Sequence, residues 1–154
     1  MALQELSNVD IDSYYKNNPR YGGCFSKDDI IHANPKSNKF YVLNLDSRDG
    51  QGSHWVCLYN CDKKYVYYFD SFGVEPPEQV VSFCKKTGTV LAPKIPLRNI
   101  ADIQTLNSSA CGYYCIYCLD HLLKGESFLD VVNRFDSVNQ RNNERLMKRY
   151  FRKS

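Results

Sequence analysis

Cys111 is followed by Gly112 and preceded at seven residues by Gln104, in the run Gln104-Thr105-Leu106-Asn107-Ser108-Ser109-Ala110-Cys111-Gly112. A helix is predicted over 109–124, so the thiol lies at its first turn. There the unpaired N–H groups and the helix dipole favour an anion, here the thiolate of Cys111. Gly112 keeps the space beside the sulfur clear. Gln104 lies in a connection expected to fold over the thiol. Its amide and the Cys111 N–H are two donors suited to the oxyanion of a tetrahedral intermediate.

A thiolate nucleophile needs an imidazole, and the imidazole an orienting carboxylate. The chain has three histidines, His32, His54 and His121. His54 opens a predicted strand (54–60) behind a Gly-containing loop (46–53), and Asp70 ends the next strand (65–70). Side chains alternate faces along a strand, so parity decides whether the two meet. A three-residue turn pairing Asn60 with Lys64 sets His54 opposite Asp70. A four-residue turn sets His54 opposite Ser71 and sends Asp70 to the other face. The triad therefore requires an odd loop or a bulge at Cys61-Asp62-Lys63-Lys64.

The motifs Gly52-Ser53-His54-Trp55, Tyr68-Phe69-Asp70-Ser71-Phe72-Gly73 and Gln104…Cys111-Gly112 fall in the order His, Asp, Gln, Cys. Together they resemble the adenain-like maturation proteases of adenoviruses and, more widely, the clan that includes the SUMO-specific proteases. The likeness covers residues 20–150. It implies an α+β, papain-like cysteine protease fold in the adenain/SUMO-protease arrangement. It also implies a catalytic set of Cys111, His54, Asp70 and Gln104, with Trp55 walling a narrow channel for substrate glycines. Further implications are capsid or scaffold precursors as substrates, and activation by a peptide and by DNA. Three departures stand out. Asp70 occupies a position where adenain-like enzymes often carry Glu, the chain is shorter, and no Cys lies between Cys84 and Cys111, where adenain takes a disulfide-linked activating peptide. Compact adenain-like proteases occur in virophages and related virus-like transposons, and the abundant Asn, Lys and Tyr suit an AT-rich genome of that kind.

The elements that must position these residues can be read in outline. A short helix ends by Tyr15, before Pro19. Tyr21–Ser26 reads as a turn on its glycine pair, and Ser26–Ile31 as the start of a helix, with Ser26 and Asp29 as capping residues. Strands are predicted at 40–45, 54–60 and 65–70, with a short one at 89–91. Pro93 and Pro96 interrupt the chain. Helices are predicted at 78–87, 109–124, 127–135 and 139–151, and apolar residues surround the one behind Cys111, which marks it as buried. The expected architecture is a central, mostly antiparallel sheet on a buried helix with outer helices.

Length and composition agree with one domain over 1–154: 154 residues, 43% hydrophobic and 24% charged. No stretch is long and apolar enough for a membrane span, and the start has no signal-peptide pattern. Seven cysteines without such a signal point to thiols in a reducing compartment. Cys111, Cys115 and Cys118 match the spacing of a radical-SAM cluster motif, but three ligands on one straight helix line up rather than wrap a cluster, and too little chain follows for the barrel. Cys115 and Cys118 are expected in the core, His121 in packing and His32 in solvent.

Net charge is +3. Arg141, Arg145, Lys148, Arg149, Arg152 and Lys153 give the last helix a cationic side, which reads as a solvated face or as a nucleic-acid contact stripe through Arg145, Lys148, Arg149 and Arg152. The reading reached is a monomeric thiol endopeptidase of a virus, in the virion and inside the host cell. Its chemistry requires no cofactor or metal, DNA or a peptide is an activator at most, and membranes are not partners. The alternatives are a deubiquitinase or deSUMOylase on the same fold, and a nucleic-acid-binding virion protein on a decayed protease fold.

Overall fold

The computed structural model describes residues 3–45, 54–105 and 108–152. The loop predicted at 46–53, Asn107 and Lys153 lie outside the described residues. Helix α1 (Asn8–Tyr15) starts with a reciprocal cap, in which Ser7 and Asp10 bond each other's backbone N–H. Five strands follow in one sheet of order β1-β2-β3-β4-β5: β1 (Tyr21–Ser26), β2 (Lys39–Asn44), β3 (Trp55–Asn60), β4 (Tyr65–Phe69) and β5 (Ile95–Arg98). The other helices are α2 (Glu78–Thr87), α3 (Cys111–Leu123), α4 (Phe128–Asn133) and α5 (Gln140–Arg152).

The sheet is antiparallel at its centre, where β2, β3 and β4 pair, and parallel at both edges. Parallel neighbours need a crossover, and α2 supplies it between β4 and β5. β3 is buried along its whole length because both faces are covered. Trp55, Cys57 and Tyr59 face a cluster built on α3 with α1, α4 and Met147 of α5. Val56 and Leu58 face a smaller one with Val80, Phe83 and Cys84 of α2. The α+β architecture of a sheet on a buried helix is as expected, with α3 buried on nearly every side, but the sheet is mixed rather than mostly antiparallel, two of its four pairings being parallel.

Three local expectations are corrected. Tyr21–Ser26 is an edge strand, not a turn. A β-carbon on Gly22 would lie 2.3 Å from the Tyr41 ring, so the glycine serves close packing against β2. Ser26–Ile31 forms no α-helix: Ser26 ends β1, its hydroxyl bonds the Asp29 carboxylate, and a single 3-10 turn (Ile30–His32) follows. The strand near 89–91 is displaced to Ile95–Arg98. Thr89 and Ala92 close a tight turn whose tip, Val90 and Leu91, is exposed. Pro96 is tolerated because β5 is an edge, with no ladder on its outer side.

Candidate active site

The β3–β4 register pairs Cys57 with Phe69, Leu58 with Tyr68 and Tyr59 with Tyr67. His54 and Asp70 lie just outside β3 and β4, beyond the last paired residues, so their meeting does not follow from strand parity and the length of the Cys61–Lys64 turn. His54 Nε2 lies 2.8 Å from Asp70 Oδ1. With Nε2 engaged there, Nδ1 is the nitrogen left to serve the sulfur. The Phe72 ring packs against the imidazole at a tilt of 35°, with centroids 5.1 Å apart.

Cys111 is the first residue of α3. Ala110 at the N-cap makes no side-chain cap, and first-turn N–H groups have no partner within a helix, so this end is built to receive negative charge. The Trp55 backbone N–H donates to Cys111 Sγ at 3.3 Å, which fixes the sulfur against the end of β3. Burial alone pulls the His54 imidazolium down. The hydrogen bonds and charges of Asp70 and Cys111 outweigh it and raise His54 from 6.5 to about 9. Burial pushes the Cys24 and Cys84 thiols up to about 12, and it also raises Cys57, Cys61, Cys115 and Cys118. Those six are neutral thiols at pH 7.

Asp70 is 1% exposed, and its turn is held by backbone and side-chain hydrogen bonds. Oδ1 also accepts from the Phe72 N–H at 2.8 Å. The Asn99 side chain accepts from the Asp70 N–H and donates to the Asp70 carbonyl, at 3.0 and 2.7 Å. Gly73 closes the turn at φ +68°, and a β-carbon there would lie 2.6 Å from the Ile100 carbonyl oxygen. Gln104 is buried beside this turn. Its Oε1 accepts from the Ser71 hydroxyl, and its Nε2 donates to the Ser108 carbonyl at 2.8 Å, three residues before Cys111. The sequence gives no signal for Asn99 and Ser71, since each bonds a neighbour that only the fold brings near.

Trp55 is 3% exposed, and its indole N–H donates to the Leu6 carbonyl at 3.0 Å. A β-carbon on Gly112 would meet Leu6 at 3.1 Å and Trp55 at 3.3 Å, so the clearance at Gly112 is taken by these two side chains. His121 pairs with Glu126 and packs on Tyr117 and Tyr150, His32 is exposed, and Cys115 and Cys118 are buried. Arg145, Lys148, Arg149 and Arg152 line one groove of about 480 Å³ on α5.

No family model matches the chain. It is 28% identical over 92 residues to a protease of bovine adenovirus C serotype 10, a match covering 53% of this chain and 47% of that one. The chain thus spans about half the length of this curated relative. The crystal structure of the ASFV pS273R protease superposes with a TM-score of 0.63 at 19% identity, covering 83% of this chain and 61% of that one. Its selenomethionine form gives 0.63 at 17%, covering 88% and 64%. The fold is that of the ASFV protease, and the likeness to adenain-like viral cysteine proteases read from the motifs is present in both sequence and fold.

Proposed function

We propose that the chain is a thiol endopeptidase of viral type. The observation that carries this reading is the 2.8 Å His54–Asp70 contact set beside Cys111 at the uncapped start of α3. With His54 raised to about 9 and holding its proton at neutral pH, Cys111 is proposed to react as the thiolate, the nucleophilic form of a thiol. The thiolate attacks the scissile carbonyl directly. Gln104 Nε2 and the Cys111 N–H receive the oxyanion. His54 acts first as acid, giving its proton to the leaving amine as the thioester forms. The neutral imidazole then takes a proton from water, which hydrolyses the thioester and returns the starting pair.

Trp55 and Leu6 crowd Gly112 beside the nucleophile, so small residues, Gly among them, are the proposed cleavage sites. Capsid or scaffold precursors are the proposed substrates, on the likeness to viral proteases. The α5 groove is proposed to contact a polyanion such as DNA.

The test is to incubate the purified chain and Cys111→Ala with candidate capsid precursors and map new termini by mass spectrometry. Cuts at small residues should appear with the wild type and be absent with the variant, whose missing sulfur leaves little cavity. Iodoacetamide at pH 7 should block cutting by labelling Cys111 before the exposed Cys61. Cutting that survives Cys111→Ala would end the reading.

A further inference from the structure

We propose that Ser71 sets which end of the Gln104 carboxamide faces the nucleophile. This positioning role rests on the reading of Gln104 as the oxyanion donor. A carboxamide fits its pocket in two orientations, with oxygen and nitrogen exchanged, and only one presents N–H groups to an oxyanion. The Ser108 carbonyl can only accept, so the atom 2.8 Å from it must be Nε2. Oε1 then faces Ser71 Oγ, and the hydroxyl must donate. The second Nε2 hydrogen is the one that remains for the oxyanion.

Ser71 is itself fixed. Its carbonyl accepts from the Ile103 and Gln104 N–H groups, at 2.9 and 3.1 Å, which holds its backbone beside the amide. Ser71 is 0% and Gln104 1% exposed, which leaves no bulk water to replace the bond. Without the hydroxyl, Oε1 is buried with no donor. Flipping the amide would face Oε1 to the Ser108 carbonyl oxygen, two acceptors in repulsion, and would turn an acceptor toward the oxyanion. Turning away to find water removes the donor altogether. The residue after Asp70 thus links the orienting carboxylate to the oxyanion site.

The experiment is a double-mutant cycle on pre-steady-state acylation, using a peptide that carries a mapped cleavage site. Gln104→Ala should lower the rate about 10²–10³-fold, the usual effect of one lost oxyanion donor. Ser71→Ala should lower it at least about tenfold with KM little changed, and the double variant should be no slower than Gln104→Ala within about twofold. Ser71→Thr, which keeps the hydroxyl, should recover most of the rate. Alkylation of Cys111 by iodoacetamide, which forms no oxyanion, should stay within about twofold throughout. A Ser71→Ala rate within about threefold of wild type, or losses that multiply in the double variant, overturns the proposal. A Gln104→Ala protein that acylates normally instead removes Gln104 from the oxyanion site, a separate failure. If Ser71→Ala does not fold, proton exchange of the Gln104 carboxamide in the wild type decides. It should be at least about tenfold slower than that of the exposed Gln4, and equal rates overturn the fixed orientation.

Discussion

At His54 two opposing effects meet. Burial penalises the imidazolium, while Asp70 and Cys111 favour it, and the second effect wins, placing the group at about 9. The direction fixes the sign of the pH dependence. Because the folded value lies above the ordinary 6.5, the proton is held through neutral pH and lost only as pH rises through about 9. The stabilisation from this pair is full below 6.5 and fades over the same interval. The kcat/KM profile should therefore have its basic limb near 9. In Asp70→Asn the limb should move at least about one unit toward 6.5, since the carboxylate that favoured the charge is gone. A limb unmoved by that substitution would remove Asp70 from the orienting role. Cys111, His54, Asp70 and Gln104 could be picked out because nucleophile, base, carboxylate and amide are few residue types in a restricted order. Ser71 and Asn99 could not, since a side chain that satisfies a neighbouring backbone group leaves no spacing signature.

The turn 70–73 and the segment 98–104 behave as one element. Asn99 clamps Asp70, Ser71 receives the Ile103 and Gln104 N–H groups, and Arg98 donates to the Gly73 carbonyl at 3.1 Å. Helix α5 supports the same segment from outside. Gln140 donates to the Asp102 carbonyl, Asn143 to the Ile103 carbonyl, both at 2.8 Å, and Glu144 accepts from Thr105 and Tyr114. Asn143 is 2% exposed and also bonds both backbone groups of Asp136. Asn143→Ala should therefore cost roughly 2–3 kcal/mol in chemical denaturation, from buried groups left unpaired. It should also slow acylation by loosening the residues around Gln104. The exposed Asn142→Ala should do neither, and equal behaviour of the two would show that α5 does not position the segment. The central strands and α3 were legible because full burial writes continuous apolar runs. The edges were not. β1 carries glycines for the Tyr41 ring, and β5 carries Pro96 on a side that needs no donor, so both edges read locally as breaks. Only the neighbouring strand distinguishes such a segment from a turn.

Across the whole molecule, the abundance of tyrosine has a partly structural use. The hydroxyls of Tyr14, Tyr15 and Tyr150 all donate to Asp120, at 2.7, 3.1 and 3.2 Å, which ties α1, α3 and α5 into one layer. Held there, α5 turns Met147 inward and carries its cations on the other side. A net charge of +3 is too small to draw nucleic acid to every face. Concentration of Arg145, Lys148, Arg149 and Arg152 around one groove changes the local field. If each neutralises one phosphate, the logarithm of duplex-DNA affinity should fall with the logarithm of salt at a slope of roughly −3 to −4, with little sequence preference. Replacing all four by Gln should flatten that slope to about zero while leaving iodoacetamide labelling of Cys111 unchanged, because none of the four lies among the residues bonded to His54 or Asp70. A salt series of fluorescence-anisotropy titrations with both proteins decides it. Parallel slopes would return this side of α5 to an ordinary solvated helix face.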